Sequence, residues 1–147
     1  MERAVVEIHV VQASDLDLLM QVEEGLFDSP VDPGQARAFL DSPLHHMVVA
    51  FANGQAVSFA SGSVLLHPDK APSMFINEVG TRAEHRRRGY GAAVLCALID
   101  HGRGIGCKGI WLGTEPENAP ALALYRSLGG AERPIAGFAW DNAFGPD

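Results

Sequence analysis

The first periodic stretch of the chain, Val5 to Val11, alternates apolar and polar side chains, the pattern of a strand with one buried face. Ser14 follows as an N-cap with Asp15 and Asp17 in the first turn, and this predicts a helix running to about Phe27. Asp32-Pro33-Gly34-Gln35 supplies an N-cap, a proline at N1 and a glutamine at N3, which opens a second helix ending near Asp41, with residues 28–34 as the intervening loop. Met47 to Ala52 and Ala56 to Leu66 flank Asn53-Gly54, a pair that tolerates positive φ, and they predict an antiparallel hairpin. Beyond the proline-punctuated loop 67–72, Met74 to Thr81 predicts a third strand of the meander, with the acid Glu78 inside it.

From Arg88 to about Arg103 the period becomes helical, with Gly91, Leu95, Leu98 and Gly102 on one face and glycines 102, 104 and 106 ending the segment. Gly109 to Gly113 predicts a buried strand. Asn118 caps a last helix to Leu128, which Gly129-Gly130 stops, and the tail from Ile135 to Phe144 is expected to supply one or two final strands. The order β-α-α-β-β-β-α-β-α-β defines a mixed α+β class: a central mixed, mostly antiparallel sheet flanked by about four helices. One β-α-β crossover joins strand 74–81 to strand 109–113.

The 147 residues are the size of one domain, so a single domain over 1–147 is expected, and 47% hydrophobic residues supply its core without staples. A formal net charge of −7 disfavours general nucleic-acid binding. The longest apolar run, Ala92 to Ile99, is too short to cross a bilayer, and Met1-Glu2-Arg3 opens no secretory signal; a cytoplasmic protein without a membrane partner is expected. Cys96 and Cys107 lack CxxC spacing and are expected to be buried thiols. Adjacent His45 and His46 would point to opposite sides of a strand, so a shared metal is disfavoured. His101, late in a helix, suits the negative end of the dipole.

The chemistry concentrates in Arg86-Arg87-Arg88-Gly89-Tyr90-Gly91, three consecutive cations at a strand-to-helix junction. Free backbone N–H groups at a helix N-terminus bind phosphate, and glycines let a ligand approach the backbone. Gly104-Ile105-Gly106-Cys107-Lys108-Gly109 fits GxGxxG, but it follows a helix and enters a strand, the reverse of a dinucleotide fingerprint.

Arg86-x-x-Gly89-x-Gly91 resembles the [QR]-x-x-G-x-[GA] signature of the GNAT superfamily, the Gcn5-related N-acetyltransferases, and Asn118, Ala121, Tyr125 and Leu128-Gly129 are similar to a second motif of that family. The element order is similar as well, over residues 4–140. Gly130 departs from the family, many of whose members carry phenylalanine there. Within the superfamily, Leu66 to Lys70, Glu78 and Glu84 to Arg87 most resemble aminoglycoside 3-N-acetyltransferases.

The resemblance implies an acetyl-coenzyme A-dependent N-acetyltransferase acting on a primary amine of a small, cationic acceptor such as an aminoglycoside. The alternatives are a protein or peptide N-acetyltransferase and a non-catalytic coenzyme A-binding sensor. It implies pyrophosphate on the backbone of Arg86, Arg87, Arg88, Gly89, Tyr90 and Gly91, pantetheine along Val79 and Thr81, and a cofactor contact from Asn118. His85 is expected to assist the anion site or to stand exposed. An alkyl ammonium titrates near pH ~10.4, so attack needs help with deprotonation, for which Glu78 is the candidate as base or substrate anchor. Tyr125 is the candidate acid for the departing thiolate. A homodimer is a further implication of the resemblance.

Overall fold

Asp32 opens the second helix as the sequence requires. In the computed structural model, which describes residues 6–145, its carboxylate accepts the Gln35 N–H at 2.8 Å and Pro33 takes the first helical position, a cap of about 1 kcal/mol. That helix, α2, spans Pro33–Asp41. The chain before it forms strand β1 (Val6–Val10) and helix α1 (Leu16–Met20); the expected strand start at Val5 lies outside the described residues. The helix expected from Ser14 to Phe27 is therefore corrected. Its N-cap is Asp15, whose carboxylate turns back to the Gln12 N–H, and it ends at Met20 with Gln21 as C-cap. Beyond it the carbonyls of Glu23 and Glu24 are bound by a distant arginine, Arg82, and Gly25 adopts φ +105°. A long-range partner has replaced the helical one.

The hairpin forms around Asn53-Gly54, both at positive φ, between β2 (His45–Ala52) and β3 (Gln55–Leu65). Strand β4 (Ser73–Thr81) continues the meander, helix α3 (Tyr90–Gly104) crosses over, and β5 (Ile110–Trp111) returns parallel to β4. A single 3₁₀ turn, Ala83–His85, links β4 to α3. Helix α4 (Ala119–Ser127) follows. The sheet order is β1-β2-β3-β4-β5, antiparallel except for the last pair, so the expected mixed sheet with four helices is what the chain builds.

Helix α3 packs on one face, where Val48, Val57, Met74, Val94, Leu95 and Leu98 form the main core. Helices α1 and α2 cover part of the other face with Leu19, Ala36 and Leu40. Gly102 is buried inside α3 and does not stop it: a Cβ there would meet the Met74 sulfur at 3.1 Å and Ile110 at 3.2 Å, so the glycine permits close packing on β4 and β5. The stop comes at Gly106, φ +102°, with Gly106 N–H bonded to Arg103 and Cys107 N–H to Gly102.

Three further expectations are corrected. Cys107 is buried but Cys96 is exposed, because the inward stripe of α3 runs through Val94, Leu95 and Leu98 and leaves position 96 outside. The strand at 109–113 shrinks to two residues, and Trp111 is 47% exposed with its ring against Phe75 at 4.5 Å. The tail forms no strand among the described residues. Pro134 and Gly137 interrupt its alternation, Asp141 and Asn142 turn at positive φ, and Ile135, Phe138, Trp140 and Phe144 stand exposed.

Candidate active site

The site is organised by an irregularity in β4. Opposite β3, Ser61 faces Glu78 and Gly62 faces Ile76, so Asn77 is an extra residue in the strand, a β-bulge. Met74 and Ile76 point into the core under α3, and after the bulge Val79 packs on that side again. Glu78 therefore points to the opposite face, into a cavity beneath α1 and α2. Unbroken alternation from Ile76 would have placed the carboxylate in the apolar core.

That cavity measures about 290 Å³ and is walled by Phe27, Asp28, Asp32, Phe39, Met47 and Glu78, among others. Glu78 is exposed to solvent on the cavity wall, and the partial desolvation it meets there raises its carboxyl above the ordinary range, with the Asp28 charge pushing in the same direction. Once ionised, a carboxylate raised in this way is a stronger base than one in water.

The bulge also parts β4 from its neighbour. Strand β5 pairs only with Met74 and Phe75, while β3 stays paired to Thr81, so from Ile76 onward β4 has a strand on one side alone. Val79 and Thr81 lie on this open stretch. At its end Ser58 Oγ donates to the Gly80 carbonyl at 2.9 Å and shares a 2.8 Å hydrogen bond with Thr81 Oγ1, which fixes the strand terminus.

The loop into α3 has alternating backbone handedness that turns its amides: Arg87 has φ +63° and Gly89, the N-cap of α3, has φ +86°. A Cβ built on Gly89 would meet nothing within 4 Å, so the space beside it is open, as a phosphate cradle requires. Arg86, Arg87 and Arg88 are exposed, and Arg86 Nε donates to the Thr81 carbonyl at 3.3 Å, closing the loop onto the end of β4. Tyr90 offers only its backbone here, since its ring is buried in the core. His85 lies edge-on to that ring at 5.9 Å, its Nδ1 buried without a hydrogen-bond partner. Gly91 brings α3 close to α4 and β4, for a Cβ there would touch Leu124 at 3.5 Å and Thr81 Oγ1 at 3.6 Å.

Asn118 caps α4: its Oδ1 accepts the Ala121 N–H at 3.3 Å and its Nδ2 donates to Thr114 Oγ1 at 3.3 Å. Tyr125 is half-buried against the main core, and that burial holds its hydroxyl protonated beyond the ordinary phenol range. Gly129, φ +83°, and Gly130 end the helix, with Gly130 N–H on the Tyr125 carbonyl at 3.1 Å. A Cβ at Gly130 would stand 3.1 Å from that same oxygen, so the residue that departs from the family motif is fitted to a tight turn.

Two residues that shape the site escape the sequence reading. Asp28 is one, in a stretch expected to be plain loop. Arg82 is the other, buried at 3% exposure two residues after Gly80. His46 also behaves unexpectedly: its Nδ1 meets His101 Nε2 at 2.9 Å.

With strand meander, bulge, open strand edge and phosphate-type turn in place, comparison with known proteins gives one family. The profile of the acetyltransferase (GNAT) family matches residues 16–130, and the chain belongs to that family. It is an N-acetyltransferase, and the donor in this family is acetyl-coenzyme A. The chain is similar to N-alpha-acetyltransferase RimI of Mycobacterium tuberculosis, 31% identical over 128 residues that cover 84% of this chain and 77% of that one. Its fold matches an aminoglycoside acetyltransferase from an uncultured soil metagenomic sample, solved with sisomicin, at TM-score 0.81 and 19% identity over 92% of this chain and 95% of that one. It also matches aminoglycoside N-acetyltransferase AAC(6′)-Iy in complex with coenzyme A, at TM-score 0.78 and 20% identity over 97% and 98%. Among the described residues, no helix is long and apolar enough to cross a membrane.

Proposed function

We propose that the protein transfers the acetyl group of acetyl-coenzyme A to a primary amine of a small, cationic acceptor, with aminoglycosides the leading class. The observation that carries this reading is the pairing of Asp28 with Glu78 on one cavity beside β4, since two facing carboxylates suit an ammonium-bearing ligand. The resemblance around residues 66–70 favours the 3-amine of the acceptor.

In this reading the bound donor supplies an activated acetyl thioester. The backbone of residues 86–91 binds its pyrophosphate, the open edge at Val79 and Thr81 aligns its pantetheine arm, and Asn118 adds a polar contact from the start of α4. Glu78 takes a proton from the acceptor ammonium, so that the freed lone pair attacks the acetyl carbonyl. The carbon–sulfur bond breaks, the Tyr125 hydroxyl gives its proton to the departing sulfur, and the second proton shed by the new amide nitrogen restores that hydroxyl.

A second reading, acetylation of a protein N-terminal α-amine, is favoured by the identity to RimI over most of the chain. Thiol release from acetyl-coenzyme A separates the two with sisomicin and an alanine-initiated peptide as competing acceptors. Higher kcat/KM on sisomicin supports the small-amine reading. Higher kcat/KM on the peptide overturns it, and coenzyme A binding without turnover on either leaves the sensor.

A further inference from the structure

Glu78 and Gly80 share one face of β4, Arg82 follows just past its end, and one loop crosses all three. At one end the Arg82 guanidinium donates to the carbonyls of Glu24 at 2.7 Å and Glu23 at 2.8 Å, while its Nε donates to the Ala56 carbonyl at 2.7 Å. In the middle the Leu26 carbonyl passes over Gly80, where an added Cβ would lie 3.7 Å from it and 2.9 Å from the Phe59 ring. At the other end Asp28 shares the wall of one cavity with Glu78, and its charge raises the Glu78 carboxyl. The loop thus lies along the strand with Arg82 as its clamp and Asp28 as its working end.

The clamp is unusual chemistry for a structural anchor. A guanidinium at 3% exposure takes three neutral carbonyls as its hydrogen-bond acceptors, and burying a cation is costly unless it is fully hydrogen-bonded. The loop already has apolar anchors in Leu26, packed with Val49, Ala56 and Phe59, and in Phe27, whose ring meets Phe59 edge-on at 4.7 Å. Apolar contacts are non-directional and tolerate sliding, whereas three fanned N–H donors fix position and orientation. Gly25 shows how close the fit is: it turns at φ +105°, and a Cβ there would stand 3.1 Å from the arginine Nη1.

We propose that Arg82 is a positioning residue for the acceptor pocket, acting through the 23–28 loop to hold Asp28 opposite Glu78 and so to set affinity for the cationic acceptor. This rests on the small-amine reading of the cavity. Arg82 also follows the last residue of β4 and caps the 3₁₀ turn that leads toward residues 86–91, so the backbone that leads to the phosphate cradle and the side chain that shapes the acceptor wall belong to one residue.

Arg82→Met removes the fan of donors, and Arg82→Lys keeps the charge with a single nitrogen. Gly25→Ala disturbs the same contact from the loop side and serves where Arg82→Met fails to fold. Hydrogen exchange over residues 22–28 is expected to quicken by about tenfold or more in Arg82→Met and Gly25→Ala, with α3 unchanged. The KM for sisomicin is expected to rise about tenfold while calorimetric coenzyme A affinity stays within about twofold. Asp28→Asn is expected to raise KM in the wild-type background and to add nothing in the Arg82→Met background, because the loop has already moved. Arg82→Lys is expected to fall between. Unchanged exchange in the loop, or an Asp28→Asn effect that is fully additive with Arg82→Met, overturns the proposal. Should sisomicin not turn over, the acceptor reading fails by itself and the exchange measurement still decides whether Arg82 holds the loop.

Discussion

Ile76 and Glu78 lie two residues apart on β4 yet face opposite sides of the sheet, because Asn77 is an extra residue in the ladder with β3. The bulge gives the strand both a carboxylate on the cavity side and an edge that leaves β5 behind. Deleting Asn77 keeps Glu78 and Val79 on their present faces but removes the local bend. The deletion variant is expected to unfold cooperatively while losing coenzyme A affinity about tenfold or more, read by calorimetry. Undiminished affinity would show that the bend does not shape the donor groove.

Gly89 combines positive φ with free space beyond its α-carbon. Gly89→Val places a branched side chain into that space and strains the αL conformation by about 1–2 kcal/mol. Coenzyme A binding is expected to disappear from calorimetry, with circular dichroism close to wild type at low temperature. Retained binding would detach the turn from phosphate recognition.

Tyr125→Phe keeps the ring against the core and deletes the hydroxyl. If that hydroxyl supplies the proton for the leaving sulfur, kcat should fall by roughly 10²–10⁴ with coenzyme A affinity nearly constant. Initial rates at saturating donor and acceptor check this, and near wild-type kcat would remove the acid role.

His46, hydrogen-bonded to His101 at 2.9 Å, gives the fold an acid sensitivity away from Glu78. Burial lowers the His46 pKa below its ordinary 6.5, and the neighbouring His101 and His45 push the same way, against an opposing hydrogen bond at Pro43. A group depressed in the folded state binds its proton more readily when unfolded, so its stabilising contribution is complete above pH 6.5 and is lost as pH falls through the folded value. The melting temperature is therefore expected to decline on acidification below that point. His46→Gln should flatten this decline, and an unchanged slope would assign the sensitivity to other groups.

Local signals fixed much of this architecture. The Asn53-Gly54 hairpin, the Asp32 and Asn118 caps and the α3 stripe all depend on residues within a few positions of one another, and each forms as the pattern predicts. The turn at residues 86–91 is legible for the same reason. What the sequence hides is set by partners far along the chain. Helix α1 stops early because Arg82 binds carbonyls 58 and 59 residues away, and nothing near Glu23 announces it. Asp28 gains meaning only when its loop is laid on β4. The bulge at Asn77 is invisible to a period-two reading, although it decides which way Glu78 faces. Gly80, six residues before the run of cations, is fitted under the Phe59 ring, where an added Cβ would stand at 2.9 Å, with the Leu26 carbonyl of the crossing loop at 3.7 Å.

In the proposed reaction Glu78, raised by partial desolvation and by Asp28, accepts the proton of a cationic amine. The most direct test is the pH dependence of kcat/KM on sisomicin for wild type, Asp28→Asn and Glu78→Gln. The wild-type acidic limb is expected above the ordinary glutamate value of 4.5, and in Asp28→Asn the limb is expected at lower pH. The Glu78→Gln enzyme is expected to have lost this limb and to be most impaired at low pH, recovering toward the pKa of the amine. A Glu78→Gln enzyme whose limb persists, with KM raised equally at every pH, would contradict it and leave Glu78 as an anchor for the acceptor.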